Sequence, residues 1–161
     1  MITVVKANAL HSSEMAGLLN QIIEIGGTTA ISTPVTSEDI ASWMDRARTR
    51  SAWHVAELAE GKVVGFQWIE PADYLPDDAA EIATFARVGH TGLGIGSSLF
   101  KSTVAAARAL GYRWINANIR SDNKGGIAYY QSRGFETYGQ KIGVRMDNGQ
   151  VVDKVLKRFD L

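Results

Sequence analysis

The sequence predicts an α/β fold, a single domain in which strands and amphipathic helices share one core. Three observations lead there. Apolar residues switch along the chain between alternate-residue and helical spacing. A candidate strand runs into a glycine-rich loop and then a helix at mid-chain. The 161 residues are 45% hydrophobic with no shift in composition along them, which is enough for one core and suggests no second unit over 1–161.

Taken in order, Ile2 to Lys6 reads as a strand, and Met15, Leu18, Leu19, Ile22 and Ile23 then recur at helical spacing after Ser12 or Ser13 as N-cap. Gly26-Gly27 ends that helix. Thr36-x-x-Asp39 has the form of a capping box for a second helix that carries Ile40, Trp43, Met44 and Ala47 on one face. Trp53 to Leu58 and Val63 to Ile69 flank Glu60-Gly61 as a hairpin with one buried face. A loop with Pro71 and Pro76 leads to a strand from Ala80 to Val88. Gly96 to Leu110 is an amphipathic helix closed by Gly111, and Arg113 to Arg120 is the next strand. A short helix from Lys124 to Ser132 stops at Gly134. Two final strands turn at Asp147-Asn148-Gly149-Gln150, where Asn-Gly suits a type I′ turn.

Composition excludes several classes of function. Lys+Arg and Asp+Glu both total 17, so there is no bulk attraction to nucleic acid or to an anionic membrane. The absence of cysteine removes disulfides, thiolate metal sites and a cysteine nucleophile together. His11, His54 and His90 show no metal spacing, so no metal is expected. Without a leader or an 18-residue apolar run, the expectation is a cytoplasmic protein.

The loop Thr91-Gly92-Leu93-Gly94-Ile95-Gly96 can offer backbone N–H groups and the positive end of a helix dipole to an anion; by itself it can equally be a tight turn that lets helix and sheet pack. A Walker loop would need Gly-Lys-Ser/Thr, which is missing. A dinucleotide loop would need a third glycine where Ser97 stands.

In element order and in two motifs the chain resembles the GCN5-related N-acetyltransferase (GNAT) superfamily. The glycine loop matches Gln/Arg-x-x-Gly-x-Gly/Ala with Thr91 in place of the long first side chain. The run Asn123-x-x-Gly126-Ile127-Ala128-x-Tyr130-x-x-x-Gly134-Phe135 keeps the spacing of the family's second motif. The resemblance implies a mainly antiparallel sheet in which the fourth and fifth strands splay, with acetyl-coenzyme A as cosubstrate in the gap. It implies cofactor contacts from the N–H groups of Ala86 and Val88, from Arg87, and from Thr91 to Ser97. Asn123 would meet the pantetheine or diphosphate arm and Tyr130 the thioester sulfur. Read alone, Tyr130 is a core tyrosine; the motif register assigns its hydroxyl to the reaction.

By the same resemblance Glu81, ten positions before Thr91, is the candidate general base and Tyr130 the candidate acid. A phenol of pKa about 10 can donate a proton and still be protonated at neutral pH. The acceptor would enter among the loop 26–36, the loop 70–78 and the terminal hairpin, with Thr28, Thr29, Trp68 and Tyr74 as lining groups. The loop Gly26-Gly27-Thr28-Thr29 resembles that of phosphinothricin-type acetyltransferases, and so a small amine or amino-acid-like acceptor is expected before a protein N-terminus. A coenzyme A-binding sensor without turnover is the alternative. Apolar surface at Trp43, Trp53 and the terminal strands is compatible with a homodimer, as is common in this superfamily.

Overall fold

A computed structural model describes residues 1–90 and 93–161. In chain order the elements are β1 (Ile2–Lys6), α1 (Ser12–Ile25), α2 (Ser37–Asp45), β2 (Ala52–Leu58), β3 (Val63–Glu70), β4 (Ala79–Ala86), α3 (Ile95–Ala109), β5 (Trp114–Arg120), α4 (Lys124–Ser132), β6 (Glu136–Arg145) and β7 (Val151–Asp160). The strands form one sheet in the order β1-β2-β3-β4-β5-β7-β6, antiparallel throughout except where β4 meets β5.

Strand alternation sorts the core into two layers. On one face Trp53, Val55, Phe66, Trp68 and Phe85 pack against Met15, Leu18 and Leu19 of α1 and Ile40 of α2. Trp53 and Trp68 stack there, with ring centroids 4.1 Å apart and planes within 6°. On the other face Ile69, Ile82, Ile115 and Ala117 meet Phe100 and Ala107 of α3 and Tyr130 of α4. Helix α3 lies very close to β3: a Cβ on Gly65 would stand 2.6 Å from Ile95 Cγ2, so a residue without a side chain is needed at that contact.

The predicted capping box is formed, Asp39 N–H donating to Thr36 Oγ1 at 3.1 Å and Thr36 N–H to Asp39 Oδ2 at 2.9 Å. Five expectations need correction. Helix α2 ends at Asp45, so Ala47 lies beyond it, with φ 52°. The β2–β3 hairpin is not buried on one face only: Val63 to Ile69 of β3 are all buried, because α1 and α2 cover one face and α3 the other. Neither Ser12 nor Ser13 caps α1, whose N-cap residue is His11 with no side-chain cap; upstream, Asn8 Oδ1 accepts from Leu10 N–H at 2.9 Å and starts a 3-10 turn, Ala9–His11, that runs into the helix. Ser12 is already helical and donates to Ala9 O at 2.6 Å. Strand β4 ends at Ala86, because the chain turns at Gly89 (φ 86°) with His90 N–H bonded to Arg87 O. The last hairpin is not a type I′ turn. Gly149 N–H bonds Met146 O and Met146 N–H bonds Gln150 O, but only Gly149 has positive φ (85°). Asn148 keeps negative φ, which gives a type I turn followed by a glycine bulge.

Candidate active site

β4 and β5 are paired only from Ala79–Glu81 to Trp114–Asn116, whereas β3 holds β4 as far as Ala86. Past Glu81 the two central strands therefore part. The phase of the β3–β4 ladder fixes what faces the gap. Arg87 N–H bonds Val64 O at 2.7 Å, so by alternation Phe85, Ala83 and Glu81 also donate to β3, and the N–H groups of Ile82, Thr84 and Ala86 point to the β5 side. Open strand edges leave backbone donors for a ligand. A cleft of about 1050 Å³ follows this gap, from the N-terminus of α3 at one end to Lys154 of β7 at the other.

At the α3 end, Gly94 takes the left-handed conformation (φ 69°), and the helix's first internal bond runs from Ser98 N–H to Gly94 O. The N–H groups of Ile95, Gly96 and Ser97 have no partner within the helix, the arrangement that suits an anion. Gly96 is also pressed by Tyr129, whose hydroxyl donates to Gly96 O at 2.8 Å. Arg133, which the sequence reading passed over, donates to Ser97 Oγ at 2.8 Å and adds a cation to this end. Leu93 is exposed beside it. Thr91 and Gly92, expected to contact the cofactor, lie outside the described residues.

Other expected cofactor residues have roles within the chain. Asn123 Oδ1 accepts from Gly126 N–H at 2.9 Å as the cap of α4, and its amide donates to Thr28 O at 2.9 Å, so Asn123 ties the loop after α1 to the cleft wall. Arg87 turns back and donates to Val63 O. Val88 is exposed at the cleft rim, and His90 lines it with Nδ1 buried and unpartnered.

Tyr130 is buried at mid-cleft, its hydroxyl 2.8 Å from Thr84 Oγ1. Burial holds its pKa well above that of a free phenol, and so it is protonated at neutral pH. Gln67, fully buried, organises this region. Its Nε2 donates to Thr84 Oγ1 (2.9 Å) and Tyr129 OH (3.1 Å), and its Oε1 accepts from Thr103. In sequence Gln67 is one polar residue in an apolar strand, a pattern that signals a buried network only once its neighbours are known.

Glu81 lies where the strands begin to part. Its Oε1 accepts from Tyr74 OH and from Asn116 Nδ2 at 3.3 Å. Burial raises its pKa, while those two bonds and the charges of Lys141 and Lys154 act in the opposite sense. Lys154 lines the same cleft half-buried, and burial lowers its pKa. Among the described residues it forms no ion pair. Arg120, by contrast, is neutralised by Asp122 and donates to Thr29 O at 3.2 Å.

Of the acceptor residues expected, Thr28 and Thr29 reach the cleft with their carbonyls bonded to Asn123 and Arg120. Trp68 is buried with its indole N–H on Glu70, and Tyr74 stands over Glu81. No group of three His, Cys, Asp or Glu placed to hold a metal occurs among the described residues, and no helix among them is long and apolar enough to cross a membrane.

The profile of the Acetyltransferase (GNAT) family matches residues 23–135, a span that contains the cleft's Glu81, α3 N-terminus and Tyr130. The chain belongs to this family. It is 28% identical over 149 residues to YwnH of Bacillus subtilis, to which phosphinothricin acetyltransferase activity is ascribed; the match covers 91% of this chain and 87% of that one. The ribosomal-protein-alanine N-acetyltransferase of Brucella melitensis superimposes with a TM-score of 0.88 at 25% identity, covering 99% of each chain. The phosphinothricin acetyltransferase of Sinorhizobium meliloti, solved with acetyl-CoA, gives 0.85 at 21% identity and covers 99% of this chain and 88% of its own. The mixed, mostly antiparallel sheet is thus the fold of known acetyltransferases, and this GNAT protein is an acyltransferase by family.

Proposed function

We propose that this GNAT protein transfers the acetyl group of acetyl-CoA directly to the primary amine of a small, amino-acid-like acceptor, with Glu81 as base and Tyr130 as acid. The observation that carries this reading is the parting of β4 from β5 immediately after Glu81, which opens one gap to both Glu81 and Tyr130. The residues present fit acetyl-CoA. The N–H groups of Ile95, Gly96 and Ser97, which have no partner within the helix, suit its pyrophosphate together with Arg133, and the inward N–H groups of Thr84 and Ala86 suit the pantetheine amides and the acyl oxygen.

Bound there, acetyl-CoA supplies an activated thioester. Glu81 receives a proton from the amine, through a water, as the new C–N bond forms, and Tyr130 delivers its hydroxyl proton to the departing sulfur as the C–S bond breaks. The chain's proton count balances when Glu81 returns its proton to solvent and Tyr130 is reprotonated. The raised pKa of Glu81 makes it a better base than an exposed carboxylate, and Thr84 holds the Tyr130 hydroxyl in place.

The acceptor class follows from charge. Glu81 and Lys154 line one cleft without pairing, so an acceptor with an amine at one end and a carboxylate at the other meets a matching charge at each. Ile22, Ile25 and Ile31 supply an apolar wall. The names of the Bacillus and Sinorhizobium relatives agree with a small amine.

The test is release of free thiol from acetyl-CoA across a panel of amino acids and simple amines. Glu81→Gln should lower kcat by about 10²–10⁴-fold. In the wild type, kcat/KM should fall as pH drops through the raised pKa of Glu81, because the base must be ionised. Unchanged turnover in both Glu81→Gln and Tyr130→Phe would sink the assignment of roles; coenzyme A binding with no turnover of any amine would support a sensor instead.

A further inference from the structure

The loop between β3 and β4 brings Tyr74 over Glu81, and the hydrogen bonds there have only one consistent direction. Asn116 Nδ2 donates to Tyr74 OH at 2.9 Å, and Asn118 Nδ2 donates to the same oxygen at 3.2 Å. With both acceptor sites of the phenol filled, its single proton must point to Glu81 Oε1, the remaining partner. Asn116 is itself held. Tyr138 OH from β6 donates to Asn116 Oδ1, which prevents the amide from turning over and keeps its NH₂ toward Tyr74 and Glu81. Lys141, also from β6, sits 3.5 Å from the centroid of the Tyr74 ring and fixes the ring's height.

We propose that Tyr74 is a positioning residue for Glu81: the chain Tyr138–Asn116–Tyr74 delivers two donors to Oε1, fixes the carboxylate plane and leaves Oε2 for the reacting amine or its water. The inference rests on the reading of Glu81 as base and adds to it a support drawn from the β3–β4 loop and from strands β5 and β6, segments far apart in the sequence. Both donors stabilise the ionised form, offsetting the burial that raises the Glu81 pKa. They therefore favour the ionised carboxylate that a base needs, against the burial that disfavours it. The charged and titratable groups that face Glu81 are Tyr74 of the loop, Lys141 and Tyr138 of β6, Lys154 of β7 and Tyr130 of α4. Its register partner Glu70 on β3 is occupied by Arg46 and the Trp68 indole.

The test is a ¹³C NMR titration of the Glu81 carboxyl in the full chain, which needs no knowledge of the acceptor. Tyr74→Phe keeps the ring and its lysine contact and removes the hydroxyl, and with it the proton donated to Glu81 and the acceptor of the Asn116 and Asn118 amides. It should move the Glu81 pKa upward by about one unit, since a hydrogen bond to a charged group is lost. Tyr138→Phe, which frees the Asn116 amide to turn, should move it the same way by less. A purely structural role for Tyr74 would lower the melting temperature and leave the titration in place, and an unmoved Glu81 pKa in Tyr74→Phe overturns the proposal. Activity of Glu81→Gln separates the two claims: if that variant is impaired while Tyr74→Phe leaves the titration unmoved, only the positioning role fails, and if it is fully active, the base itself is wrong.

Discussion

Gly96→Ala tests how the cofactor end of the cleft is built. Gly96 lies in the first turn of α3, where alanine would ordinarily favour the helix by about 1 kcal/mol. Here an added Cβ would stand 2.5 Å from Tyr129 Cε1 and 3.2 Å from its Cζ, closer than carbon atoms can approach. The ring cannot retreat without cost, because its hydroxyl is bonded to Gly96 O and accepts from Gln67 Nε2. Overpacking costs about 1–3 kcal/mol and a lost hydrogen bond about 1 kcal/mol, so the variant should be less stable by about 1–3 kcal/mol after the helix gain is subtracted. For a chain of this size that is a fall in Tm of about 2–12 °C. Thermal denaturation measures it, and calorimetry with coenzyme A should show weaker binding, since Tyr129 and the α3 N-terminus move together. The decisive control is the same substitution in a Tyr129→Ala background, where the clash is gone and alanine should be neutral or stabilising. A Gly96→Ala protein as stable as wild type, with unchanged affinity, would refute the packing argument.

Two further predictions address the acceptor and the fold. Lys154→Met should raise KM for amines that carry a carboxylate by about tenfold or more and leave KM for the corresponding amides nearly unchanged, as read by thiol release; equal effects on both series would remove Lys154 from acceptor recognition. Thr36→Ala should cost about 1 kcal/mol in chemical denaturation, because it breaks the side-chain half of the capping box of α2, and it should leave coenzyme A binding unaltered.

The elements were legible where local chemistry decides them. The capping box at Thr36 and Asp39, the left-handed glycines that close α1 and α4, and the period-two apolar runs of β2 and β3 each depend on residues within a few positions of one another. The errors were local as well. Asn8 starts a 3-10 turn ahead of α1 that carries Ser12 straight into the helix, and the final turn chose a bulge because one glycine, rather than an Asn-Gly pair, carries the positive φ.

The site divides differently. Glu81, Tyr130 and the glycine loop could be named as candidates through the resemblance to the family, whose motifs lie on neighbouring stretches of chain. Gln67, Asn116, Tyr138, Lys154 and Arg133 could not. Each is an ordinary polar residue in its own segment, and its significance comes from a partner 22 to 62 residues away or from a shared cleft wall. The sequence by itself determined the order strand, glycine-rich segment, helix, since strand period and helix start are set by neighbouring residues, and the family resemblance singled out Glu81 and Tyr130 as candidates. Only the tertiary structure decided that β4 leaves β5 just past Glu81, which donors Glu81 keeps and which lysine faces it unpaired, because strand divergence, desolvation and hydrogen-bond direction depend on groups that meet only when the sheet is assembled.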